Sequence, residues 1–162
     1  MKRVFFAFIT ALLLTNCAQV NEFSGLSQSY SGPVAHINDS SSKVSLIKQH
    51  FYELAAVNDK HVYASSTCTQ DGGNANQQGL SLCSQRHEVP AGKQRLNIRA
   101  VNYVTVPFFS FFNNIYKAEG SVLVNLEVGE EYFVKGNIDG DKAAVWVEDA
   151  RGDMVSAKIE SR

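Results

Sequence analysis

The residue types best able to do chemistry in this chain do not fall into a catalytic or metal-binding spacing. Four histidines, His36, His50, His61 and His87, are scattered, with no pair at the helical or short-loop separation that metal ligation favours. Each reads as a packing or surface residue. There is no Gly-x-Ser-x-Gly elbow and no Ser-x-x-Lys followed by its partner motifs, so the usual marks of an activated serine are missing. Glycine-rich phosphate loops are missing too. Asp139-Gly140-Asp141 and Asp149 bring carboxylates close together in sequence. Calcium needs six or more oxygens, however, and the segment reads as a hairpin turn. Arg151-Gly152-Asp153 likewise reads as a turn. The sequence therefore implies no cofactor, no metal and no catalytic residue. An enzyme, such as a hydrolase acting on cell-wall material, would have to assemble its site from residues distant in the chain.

Cysteine usage says more. Residues 1–17 read MKRVFFAFITALLLTNC, with Lys2 and Arg3 ahead of an apolar run from Val4 to Leu14 broken only by Thr10. That run is too short to span a bilayer core about 30 Å thick, which takes roughly 20 helical residues, and it fits a secretory signal. Its end, Leu14-Thr15-Asn16-Cys17, resembles the bacterial lipobox, with Asn16 where a smaller residue is usual. The resemblance implies that Cys17 is acylated, palmitate being a typical chain, and becomes the mature N-terminus. The alternative is an ordinary secretory signal with an incidental cysteine. Ala18 lacks the aspartate that would retain a lipoprotein at the inner membrane, so the expected location is the periplasmic side of a Gram-negative outer membrane.

With Cys17 set aside, Cys68 and Cys83 form an even pair in a compartment that oxidises thiols, and they are expected to be disulfide-bonded. Thr69 to Leu82, between them, is polar and rich in Gly, Asn and Gln. Closing a loop of about 15 residues stabilises a fold by roughly 3 kcal/mol in the chain-entropy model. A redox or metal role would call for a Cys-x-x-Cys spacing or clustered histidines, and the chain has neither.

Behind these residues stands a body of ordinary composition. The chain has 162 residues, 44% hydrophobic and 19% charged, with net charge −1. This is enough for one self-sufficient core, and it argues against nucleic acid as a partner, which would require a basic surface. Signal removal takes two of the 15 basic residues and none of the 16 acidic, leaving 13 against 16, a mild acidity that disfavours phosphate-rich lipid surfaces as electrostatic partners. Residues 18–45 are expected to be a flexible tether, interrupted at Gly32 to Ile37 by a stretch that reads as a short first strand or as plain linker. The folded domain is expected to occupy 46–162. Phe51 to Val57 reads as a strand returning through Asn58-Asp59-Lys60 to His61–Ala64, with a helix from Leu46 to Leu54 as the alternative. Leu96, Ile98 and Ala100 share one face, as do Val122, Val124, Leu126 and Val128, and then Tyr132, Val134 and Ile138. Ala143 to Val147 is a short run around Trp146, and Met154 to Ile159 closes the chain. Turn residues punctuate these runs at Pro90–Lys93, Val128–Glu131, Asp139–Lys142 and Arg151–Asp153. The expected fold is all-β, a single antiparallel sandwich.

Val57-Asn58-Asp59-Lys60, Val89-Pro90-Ala91-Gly92-Lys93, Leu126 to Val134 and Ala144 to Asp149 resemble a pattern in small bacterial lipoproteins: a DGK turn, a PAGKH-like turn, then EAGKxYxV. This chain lacks the glycine before Lys60 and has Gln94 where histidine is common. The resemblance implies a transthyretin-like or immunoglobulin-like fold and brings no activity with it. The expected role is a lipid-anchored envelope protein that binds or scaffolds, held to the membrane by Cys17. The alternatives are the cell-wall hydrolase and a lipoprotein subunit of a secretion or transport apparatus. One further segment stands out. Phe108, Phe109, Phe111 and Phe112 follow Pro107, and these rings either tuck beneath the sandwich or form an exposed patch for a protein partner or membrane boundary.

Overall fold

Alternating apolar and polar residues build most of the strands, and the buried half of each alternation meets across two sheets. The computed structural model describes residues 30–71, 82–104 and 115–161. Val34–Asn38 (β1), Arg86–Pro90 (β5), Glu131–Asp139 (β8), Lys142–Asp149 (β9) and Ile159–Glu160 (β10) make one sheet in the order β10-β9-β8-β1-β5. Ser40–Lys43 (β2), Lys48–Val57 (β3), Gly92–Val104 (β6) and Ile115–Leu126 (β7) make the other in the order β2-β3-β6-β7, with Lys60–His61 (β4) on the edge of β3. The two sheets pack face to face as a sandwich, all-β as the sequence leads one to expect. Pairing is antiparallel except that β1 runs parallel to β8, with Ile37 opposite Tyr132.

The core takes Ala35, Ile37, Val89, Tyr132, Val134, Val145 and Val147 from one sheet. From the other it takes Tyr52, Leu54, Leu96, Ile98, Ala100, Val122, Val124 and Leu126. Burying each larger apolar side chain contributes about 1.5–3 kcal/mol. Gly136 lets the layers approach, because a Cβ there would collide with the Tyr52 ring and the Ala144 carbonyl. The Phe51–Val57 run is a strand, and its unbroken burial has a simple cause: β3 is covered on both faces. Phe51 packs edge-to-face on Tyr103, with ring centroids 5.7 Å apart, in a cluster with Val101 that is separate from the main core.

Turns follow their chemistry. Asn58 and Asp59, at φ 48° and 66°, form the two-residue β3–β4 loop, in left-handed positions that these two residue types tolerate better than most. Gly140, at φ 57°, opens the β8–β9 hairpin. Gly92 and Gly129 have a different task, since β5 to β6 and β7 to β8 carry the chain from one sheet to the other.

Several sequence expectations need correction. The tether does not extend to residue 45. Residues 34–43 form β1 and β2, and β1 lies between β8 and β5 with Ala35 and Ile37 fully buried. The return from the Asn58 turn stops at His61, and Ser65–Asp71 forms a helix (α1) that no apolar spacing announces. Val128 does not share the buried face of its neighbours but is exposed in the turn. At the C-terminus only Ile159–Glu160 pairs as a strand, Met154 making a single bridge to Glu148.

Candidate functional site

The densest gathering of reactive groups among the described residues lies where β1 passes into β2, beneath α1. Its centre is a carboxylate that the sequence places in a run of small polar residues. Asp39 Oδ1 accepts the Leu54 amide at 2.8 Å and lies 3.2 Å from His87 Nε2. Its Oδ2 accepts the Ser65 amide at 3.0 Å and the Ser65 hydroxyl at 2.7 Å. Glu53, fully buried on β3, accepts the Ser66 amide at 2.8 Å, the Ser66 hydroxyl at 2.7 Å and Arg99 Nε at 2.7 Å. Burial pushes the Glu53 carboxyl above the usual carboxylate range, and Asp39 adds to this, against the pull of Arg99 and Ser66.

The arrangement follows from what α1 lacks. A seven-residue helix is too short to hold itself in water. Cys68 donates to the Ala64 carbonyl at 3.0 Å, so Ala64 sits at the cap position and has no side-chain acceptor to offer. Asp39 and Glu53 supply two acceptors from elsewhere in the chain and satisfy the first two free amides. Ser65 Oγ then accepts the Gln85 amide at 2.8 Å, and Thr69 Oγ1 accepts the Cys83 amide at 3.0 Å. Cys68 and Cys83 are bridged with Cα atoms 5.7 Å apart, so the expected disulfide is present, on a helix at one end and just ahead of β5 at the other.

Serine, histidine and aspartate thus meet, but not as a catalytic triad. A triad needs the histidine between nucleophile and acid, ready to take the serine proton. Here the aspartate stands between the other two. The Ser65 hydroxyl donates to Asp39 and accepts from Gln85, and Ser65 and His87 are only 1% and 2% exposed. These groups hold α1 and the disulfide to the sandwich. Replacing both cysteines by alanine is expected to lower stability by about 3 kcal/mol, since the bridge closes a 15-residue separation. A urea melt of the double variant measures this, and mass mapping without reductant should recover the joined Cys68 and Cys83 peptides.

Other sequence candidates are dispersed. His36 is partly exposed on β1, His50 is buried on β3 with its pKa lowered by burial and by Lys48, and His61 is exposed on β4. Among the described residues no group of three or more His, Cys, Asp or Glu side chains is placed to hold a metal ion. Asp149 accepts the Arg151 and Asp153 amides and the Arg151 guanidinium, so Arg151-Gly152-Asp153 is a turn locked on its own carboxylate. Its side faces a shallow groove of about 450 Å³. On the outer face of the β8–β9 sheet, Lys135 and Lys158 lie 5.3 Å over the rings of Phe133 and Trp146, so each ring already has a cation partner.

Cys17 and the segment Phe108, Phe109, Phe111 and Phe112 lie outside the described residues. The chain leaves β6 at Val104 and re-enters β7 at Ile115, at the end of the sheet where Lys48 pairs with Val104. The Asp39 and Glu53 pair was not legible, because their partners lie 13 to 48 residues away in the chain. One signal was available: an acid inside the apolar run of β3 must be paired or be costly. No known protein family, curated protein or solved structure matches the chain.

Proposed function

We propose that the chain is a lipid-anchored envelope protein, acylated at Cys17, whose sandwich acts as a binding or scaffolding module on the periplasmic side of the outer membrane. The observation that carries this reading is where the described sandwich begins. Among the described residues the first strand starts at Val34, and the lipobox-like residues end at Cys17, so the lipobox and the described strands share no residue. Sixteen residues, 18–33, separate them, which reach at most about 60 Å when extended, at roughly 3.3–3.6 Å each. Two or more acyl chains hold such a protein firmly, since each buried methylene contributes about 0.8 kcal/mol.

The test is acylation itself. Cells fed labelled palmitate should incorporate it into the wild-type chain, and Cys17→Ser should abolish incorporation and leave an uncleaved precursor. Mass spectrometry that found the mature N-terminus at another residue, with no lipid on Cys17, would overturn the reading.

A further inference from the structure

We infer that the tip of the β2–β3 hairpin, residues 44–47, docks into the headgroup layer of an anionic phospholipid bilayer. Val44 is 49% exposed, Leu46 80% and Ile47 51%, although the fully buried Phe51 lies on β3 only a few residues on. The tip is held in shape. Val44 and Ser45 amides donate to the Lys48 carbonyl at 3.1 and 3.0 Å, and the Ile47 amide donates to Ser45 Oγ at 3.3 Å. These three amides can enter an apolar layer without losing hydrogen bonds to water. Three apolar side chains project from a tip so constrained.

Charge selects the occupant. Lys43 and Lys48 flank the tip, and from Ser40 to Tyr52 the chain carries no carboxylate. Lysines on either side of a short apolar insertion sit at the depth of the phosphates and can extend toward them. The β8–β9 turn, at the same end of the other sheet, carries Asp139, Asp141 and Lys142, so the attraction is local to the hairpin. The tether joins the opposite end, where Ala91 donates to the Pro33 carbonyl and Gly129 to that of Val34. The 13-residue β6 spans about 40 Å between those ends at roughly 3.3 Å per residue, within the reach of an extended tether. One bilayer can therefore hold both the anchor and the tip.

The inference rests on the envelope reading for its choice of membrane, and its test does not use the acyl group. The unacylated chain from Ala18 onward, which retains every described strand, is mixed with vesicles of phosphatidylglycerol and phosphatidylethanolamine, or of phosphatidylcholine alone. It should bind the anionic vesicles more tightly and release as salt is raised. Leu46→Asp should weaken that binding about tenfold or more with an unchanged melting midpoint, and Lys43→Gln with Lys48→Gln should weaken it about fivefold per lysine. An environment-sensitive dye on Leu46→Cys should shift to the blue on binding, and one on Leu123→Cys should not. Failure of the wild-type chain to bind, equal binding by Leu46→Asp, or an equal shift at Leu123→Cys would overturn the proposal. So would self-association without vesicles that Leu46→Asp abolishes, which would make the tip an interface between copies. Palmitate labelling of Cys17 can succeed or fail independently of each of these results.

Discussion

Asp39→Ala is expected to destabilise the domain by about 4 kcal/mol or more, near the upper end of what single substitutions do. The carboxylate receives four contacts, from the Leu54 amide, the Ser65 amide, the Ser65 hydroxyl and His87 Nε2. Each buried donor left without an acceptor costs about 1–3 kcal/mol, less where water can reach it. Ser65 and His87 are too buried for easy rehydration. Small domains have about 5–15 kcal/mol in total, so the variant should be marginal at room temperature. Urea unfolding would show the midpoint falling, and amide exchange at Ser65, Leu54 and Gln85 should accelerate first. A loss below about 1 kcal/mol would mean that the seam beneath α1 does not hold the fold as argued. The disulfide does not substitute for Asp39, because it fixes Cys68 to Cys83 and leaves the Ser65 amide at the start of α1 without its acceptor.

What was legible follows from burial geometry. Leu96, Ile98 and Ala100, and then Val122, Val124 and Leu126, alternate cleanly because they face the core while the polar residues between them face away from it and stay at least partly exposed. β3 reads ambiguously as strand or helix because α1 and the Phe51 cluster bury its second face, which erases the period of two. β1 reads ambiguously, as strand or linker, for another reason. It is five residues long, with alanine as one of its two core side chains, and its place depends on β5 and β8, strands remote in sequence. α1 has no apolar stripe at all and exists by virtue of carboxylates on other elements. The disulfide was legible because it needed only an even count and an oxidising compartment. A buried polar seam has no such short-range signature, and neither does a site made from exposed tips.

Arg99→Met carries the second large effect, together with a pH signature that distinguishes it from simple loss of packing. Arg99 Nε lies 2.7 Å from Glu53 Oε1, with the guanidinium side chain 15% exposed and the carboxylate fully buried. Removing one partner of a buried pair leaves an uncompensated charge, which costs about 3–5 kcal/mol near neutral pH. Glu53 is already raised above its ordinary 4.5 by burial, and Arg99 is the largest influence opposing that rise. Without it the folded-state pKa must climb further. A carboxyl whose pKa is higher folded than unfolded binds more protons in the folded state between the two values. Its contribution to stability is therefore fully present below about 4.5 and is lost as pH rises through the folded pKa. The variant should come closest to wild type in acid and fall furthest behind above the raised pKa of Glu53. Titrations of carboxylates shared by both proteins cancel in the difference. Adding Glu53→Gln to Arg99→Met removes the titrating group, and the difference between that double variant and Glu53→Gln alone should be flat with pH. Chemical denaturation at intervals from pH 4 to 8 measures all four curves. A gap between Arg99→Met and wild type that stayed constant over that range would show that Arg99 contributes packing alone, and that Glu53 is not held as a buried charge.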